Sequence, residues 1–283
     1  MRRLLITLLL VFSLSLAAQE SKLSFEQVEN LYQNGQYIKV TDILSQRASA
    51  NELSIQEEML MADAHHKQDH FKLAEVGYTK VLKQDKENYI AFFNRGAARV
   101  FLEDYKGALK DLKKAIEIYP DSAEMYYYKG YCEAELFDYK DAIESYSKAI
   151  ALKPNFAEAF YNRGAAKGEL DLYEAGMEDF TTALDKEPNL EDGALNVALS
   201  KLGMGDLDGA IAGFDQVIAK RDKNLGKAYF YRGEARYDKG LRTEACDDFN
   251  RAMTLQYEPA DKNIGDLCGA SRKSKRREID ITF

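Results

Sequence analysis

The side chains able to do chemistry are few. All three histidines, His65, His66 and His70, fall together, with Asp63 and Asp69 beside them. His66 and His70 stand four apart, the spacing at which two imidazoles on one helix face can share a metal ion. His70, however, falls where a turn is predicted, which breaks the shared face, so no metal site is expected. Cys246 and Cys268 lie near the end of the chain, and an oxidising compartment would permit a bridge between them. The alternative is two small buried side chains; Cys132 stands alone at a small-residue position and is expected to pack between helices. There is no Gly-rich phosphate loop and no Ser or Cys nucleophile partnered with a His. Neither catalysis nor a cofactor is expected.

The elements that must position any site emerge from self-similarity. Gly96, Gly130 and Gly164 are 34 residues apart, and Ala62 and Ala198 continue the register. Twelve residues on stand Ala74, Ala108, Ala142, Gly176 and Ala210; four further on, Tyr78, Leu112, Tyr146, Phe180 and Phe214. Ala115, Ala149 and Ala183 come three later, and Pro120, Pro154 and Pro188 close the units. Ala142, Tyr146 and Ala149 occupy one face of a helix. Small residues let two antiparallel helices approach closely, and the aromatic fills the space between one hairpin and the next. Turns are signalled by Asn34-Gly35, Glu103-Asp104 and Gly205-Asp206. The prolines stop the second helices, with Asp121, Asn155 and Asn189 placed to cap the first helix of the next unit. An all-α chain of seven hairpins results, at 21–54, 55–88, 89–122, 123–156, 157–190, 191–225 and 226–259. The first is degenerate, with Val28 and Val40 at the small-residue columns. The seventh runs one residue late, implying an insertion near Asp222–Gly226. Residues 260–270, with Ile264 and Leu267 apolar, read as a helix capping the last hairpin.

The ends differ from the solenoid at 19–259. Arg2 and Arg3 precede an apolar run, Leu4–Leu16, that closes on Ala17 and Ala18, the pattern of a cleaved signal peptide over residues 1–18. The run is shorter than the roughly 18 residues a spanning helix requires. No lipid-anchor Cys stands at the cleavage point, so a soluble periplasmic or secreted product is expected. The formal net charge is −8. Without Arg2 and Arg3 it is −10, and residues 271–283 carry five positive and two negative side chains, which leaves residues 19–270 at −13. An acidic body repels phosphate backbones, so a nucleic-acid partner is not expected. The basic tail at 271–283 is expected to be flexible, with membrane contact at most peripheral.

The recurring columns resemble the tetratricopeptide repeat (TPR) family over nearly all of residues 19–259. That resemblance implies a right-handed alpha-alpha superhelical solenoid whose first helices line a concave groove. The groove would hold an extended peptide or a helix of a partner. In the family the fifth and sixth positions of each first helix face the groove. Here the fifth column is Phe25, Met59, Phe93, Tyr127, Tyr161, Leu195 and Phe230; the sixth is Glu26, Leu60, Asn94, Tyr128, Asn162, Asn196 and Tyr231. Asparagine donates and accepts, which suits a peptide backbone, and Asn94, Asn162 and Asn196 match the family's ligand position. Glu124, Glu158 and Asp192 flank them, with Glu135 and Glu169 further along, so the expected partner carries Lys or Arg beside apolar anchors. Adjacent units lack the basic set that clamps an acidic chain end. Arg95, Arg163 and Arg232, with Lys129 in the same column, are expected to pair with acids of neighbouring helices. The expected function is a non-catalytic scaffold or adaptor within a cell-envelope complex. A self-assembling structural solenoid, or a small-ligand binder or enzyme accessory subunit, are the alternatives.

Overall fold

A computed structural model describes residues 23–50, 53–190, 192–220, 223–257 and 267–268. The signal-peptide segment, the tail and all of the capping segment except Leu267 and Cys268 lie outside them. Fourteen helices and no strand occur among the described residues. They divide at Leu136 and Phe137 into two compact units. The first holds α1 (Phe25–Gln33), α2 (Tyr37–Ala50), α3 (Ile55–Lys67), α4 (Phe71–Gln84), α5 (Tyr89–Phe101), α6 (Tyr105–Ile118) and α7 (Ala123–Glu135). The second holds α8 (Tyr139–Leu152), α9 (Ala157–Gly168), α10 (Tyr173–Lys186), α11 (Gly193–Gly203), α12 (Leu207–Lys220), α13 (Leu225–Asp238) and α14 (Arg242–Thr254). Within each unit, consecutive helices pack on one another as a stack of hairpins.

Helix ends obey the local chemistry, with one difference from expectation. Ser24 and Ser54 form capping boxes with Gln27 and Glu57. Asn88 and Asp104 accept the backbone N–H groups of Ala91 and Gly107. Asp121, Asn155 and Asn189 are not the caps: Ser122 accepts from Met125 N, while α9 and α11 start after Phe156 and Asp192 without a side-chain cap bond. A proline leaves its predecessor poorly suited to helix, so α6, α8 and α10 end two residues before Pro120, Pro154 and Pro188.

Every turn from a first to a second helix contains one left-handed residue. These are Gly35, Asp69, Glu103, Phe137, Asp171, Gly205 and Gly240. The step is 34 residues throughout except for the last, which is one longer. The register shift expected in the seventh hairpin is therefore present in the backbone.

The column residues form the core. Tyr78 and Leu112 in the first unit, and Tyr146, Phe180, Phe214 and Phe249 in the second, are all buried. Close approach is clearest between α9 and α10, where a Cβ on Gly176 would lie 2.9 Å from the Gly164 carbonyl oxygen and one on Gly164 3.0 Å from that of Gly176. Only glycine fits both positions. The degenerate first hairpin replaces this contact with an aliphatic core of Val28, Val40, Ile43 and Leu44.

Cys246 and Cys268 are joined by a disulfide with Cα atoms 5.8 Å apart, closing a separation of 22 residues. Leu267 and Cys268 pack against the core of the last hairpins. A loop of this length stabilises the folded state by about 3 kcal/mol through the unfolded chain. Cys246→Ser is expected to lower the stability of the last hairpin by about that amount, read by hydrogen exchange in α13 and α14.

Candidate functional site

In the first unit, α5 and α7 bring Phe93, Asn94, Tyr127 and Tyr128 into neighbouring positions, each half-buried. The Phe93 and Tyr128 rings meet edge to face at 5.7 Å, as do Tyr127 and Tyr128 at 5.6 Å. Phe93 and Tyr128 rest on Ala108, Leu112 and Cys132. Burial raises the Tyr128 phenol and pushes the Cys132 thiol up to about 12, which leaves that thiol unreactive. Asn94 does not offer its whole amide to a ligand. Its Nδ2 donates to Asp63 Oδ1 at 3.0 Å, and the Tyr78 hydroxyl donates to the same oxygen at 2.7 Å. Burial raises the Asp63 carboxyl, and these two donors oppose the rise. Glu124 is exposed in the first turn of α7.

In the second unit, Tyr161 and Asn162 on α9 are half-buried and Glu158 is exposed. Tyr161 meets Phe180 edge to face at 5.4 Å, and its hydroxyl accepts from Asn196 Nδ2 at 3.0 Å. Asn196 is 1% exposed. Its amide therefore serves the interior, which corrects its placement as a peptide ligand. Leu195, Phe230 and Tyr231 are buried as well, so the fifth and sixth columns of the last two hairpins belong to the core. The physical reason is visible around Phe230: Tyr231, Phe249 and Tyr257 surround its ring at 5.1, 5.8 and 5.3 Å. Asp192 caps α11 in a left-handed conformation with φ 61° and accepts from Asn224 Nδ2. It is engaged in the loop.

The arginines of the seventh column do pair with acids. Arg95, Arg163 and Arg232 each make a two-pronged contact with the aspartate sixteen residues later, Asp111, Asp179 and Asp248. A second cation one turn on, Arg99, Lys167 or Arg236, reaches the same carboxylate. The free arm of each arginine turns back to the preceding hairpin, at Thr79, Ser147 or Asp215. Lys129, in the same column, pairs with Glu133 on its own helix. The recurrence of Asp at a fixed offset from Arg was the available signal for this ladder.

Among the described residues, no group of three His, Cys, Asp or Glu side chains is placed to hold a metal. His66 instead lies edge-on to Phe71 and Phe101 at 5.2 and 5.7 Å, and those two rings stack at 4.4 Å. His65 Nδ1 and His66 Nε2 are buried without a hydrogen-bond partner. Burial lowers both imidazoles below their ordinary value, with Lys67 adding to the effect at His66, Asp69 opposing it, and His70 adding to it at His65. The folded state then binds fewer protons than the unfolded one, so stability is lost as pH falls through the ordinary histidine value of about 6.5. Thermal melts between pH 7.5 and 5 are expected to show a falling Tm for wild type and a flatter profile for His66→Leu.

Stacked antiparallel hairpins with a small-residue contact in all but the first, a large buried apolar side chain (Leu112, or an aromatic at Tyr78, Tyr146, Phe180, Phe214 and Phe249) filling the junctions and a one-residue left-handed turn define an all-α helical-repeat protein. The repeats are tetratricopeptide repeats, and the chain is a member of that family. Tetratricopeptide repeat models match residues 89–122 and 195–256, and a TPR repeat model matches 137–171. A tetratricopeptide repeat protein from Parabacteroides merdae ATCC 43184 superposes with a TM-score of 0.61 at 18% identity, covering 89% of this chain and 100% of its own. MamA superposes with a TM-score of 0.55 at 25% identity, covering 58% of this chain and 96% of its own. YrrB, described as a TPR protein with an unusual peptide-binding site, gives 0.55 at 19% identity, covering 62% and 91%. No curated protein sequence matches the chain.

Proposed function

We propose that this chain is a non-catalytic protein-interaction scaffold that holds an extended or helical peptide segment, in a periplasm or outside the cell, as part of an envelope complex. The observation that carries the reading is the set of half-exposed aromatic rings, Phe93, Tyr127 and Tyr128 in one unit and Tyr161 in the other. Each is held by an edge-to-face partner. Rings fixed before binding lose little entropy on contact, and aromatic anchors of this kind dominate peptide affinity. Exposed Glu124 and Glu158 beside them favour Lys or Arg in the ligand. The peptide-binding site named for YrrB supports this use of the fold. Arg2, Arg3 and the apolar run after them support export, as does a disulfide, which persists in oxidising compartments.

Selection of a random peptide display library on the full chain tests the reading. Enriched sequences are expected to combine apolar anchors with Lys or Arg. Tyr127→Ala and Tyr161→Ala are each expected to weaken a selected peptide about tenfold, the cost of one aromatic anchor of about 1.4 kcal/mol, with helicity unchanged. Absence of enrichment, or affinity indifferent to both substitutions, overturns it.

A further inference from the structure

The edge of the second unit formed by its inter-helix turns carries an unusual set of side chains. Phe137 is 78% exposed, Leu172 50%, Met204 42% and Leu241 38%, one from each successive turn. The turns lie at one end of the stack. Tyr173 abuts Gly203 across one junction, and Lys239 pairs with Asp208 across the next. Phe137 is also in the left-handed region, at φ 63°, where a bulky side chain is strained. Its ring meets Tyr139, two residues on, edge to face at 6.2 Å but stays largely in solvent, where Gly or Asn would hold the turn without the strain. Acids surround these apolar groups: the stretches 137–141, 169–174, 203–208 and 238–244 hold nine Asp or Glu against three Lys or Arg.

We propose that residues 271–283 of the same chain cover this edge. Their composition complements it. Arg272, Lys273, Lys275, Arg276 and Arg277 meet an acidic surface, and Ile279, Ile281 and Phe283 alternate with polar residues, as an extended segment needs to seat apolar side chains at intervals. The disulfide delivers the segment to the right place. Cys268 is tied to Cys246, which stands in the second turn of α14, five residues from Leu241 and about 7 Å along the helix axis. Thirteen extended residues span about 45 Å. Three steps between packed hairpins, at about 10 Å each, separate the Leu241 turn from Phe137, so the segment reaches the whole edge. Tethering raises its local concentration far above that of any free competitor of similar sequence. The inference concerns a different surface from the aromatic patches and stands independently of the peptide-binding reading.

A photocrosslinker tests it in the full chain with the disulfide intact. With p-benzoylphenylalanine in place of Phe283, irradiation is expected to give adducts within one chain that map to residues 137–141, 169–174 or 203–208. Yield is expected to fall at least fivefold in the Phe137→Asn, Leu172→Asn double variant. Asn adopts the left-handed region readily, so this variant keeps the turn, and an unchanged circular dichroism melt confirms it. Raising the salt to 1 M is expected to reduce the yield too. No adduct, an adduct elsewhere on the chain, an adduct joining two copies, or a yield indifferent to the double variant overturns the proposal.

Discussion

Asp179→Ala is expected to destabilise the second unit by about 3–5 kcal/mol, the range found when one partner of a buried ion pair is removed. Asp179 is buried and receives Arg163 Nε and Nη2 at 2.8 and 2.7 Å and Lys167 Nζ at 2.7 Å. Arg163 also donates to Ser147 Oγ at 2.9 Å, so one guanidinium ties α8, α9 and α10. Truncating the aspartate leaves two cations, both largely shielded from water, with no carboxylate between them. The loss comes from those stranded charges more than from the bond itself. Asp179→Asn retains an acceptor and is expected to cost less. Replacing all three groups together, as Arg163→Met, Lys167→Met and Asp179→Leu, is expected to cost less than Asp179→Ala alone. Guanidinium unfolding midpoints monitored by circular dichroism separate these cases. A triple variant weaker than the single one shows that the ladder contributes net stability beyond avoiding unpaired charge.

Much of the architecture was legible because a repeat states each packing requirement several times. Gly164 and Gly176 mark a helix crossing that only glycine permits, and the Tyr146, Phe180 and Phe214 column marks what fills the junction. The bridge between Cys246 and Cys268 was readable as a possibility, since both stand near the last hairpin; a contact between residues 22 apart depends on a path that spacing alone does not define. The candidate site was less legible. A column position tells which way a side chain points relative to its own helix but not what lies over it. Phe230 and Tyr231 share columns with Tyr127 and Tyr128, yet Tyr257 closes over Phe230 because the chain turns back there after α14. Asn196 looked like Asn162, but α11 is apolar along most of its length and lies deeper, so its amide turns to the Tyr161 hydroxyl. Capping by Asp121, Asn155 and Asn189 failed for a local reason: Asn155 and Asn189 are taken up in turns closed by Phe156 N–Lys153 O and Leu190 N–Glu187 O bonds, and all three helices start one or more residues later than those positions would cap.

Phe180→Ala links the core to the candidate site and is the second large effect expected. Phe180 is fully buried, and its ring would lie 3.1 Å from a Cβ placed on Gly164, so it fills the space that the α9–α10 approach leaves. Truncating a buried phenylalanine costs about 3–5 kcal/mol, because the lost transfer energy adds to that of a cavity that backbone packing prevents from collapsing. The same ring is the edge-to-face partner of Tyr161, whose hydroxyl holds Asn196. With Phe180 gone, Tyr161 loses the contact that fixes its ring, and binding then has to order that side chain. Peptide affinity is therefore expected to fall in Phe180→Ala well below its melting temperature, where the unit is still folded. Phe180→Leu, which refills most of the volume without an aromatic edge, separates the two contributions. It is expected to recover more than half of the stability and little of the affinity. Equal recovery of both would mean that Tyr161 is held by its own helix and not by the ring beneath it.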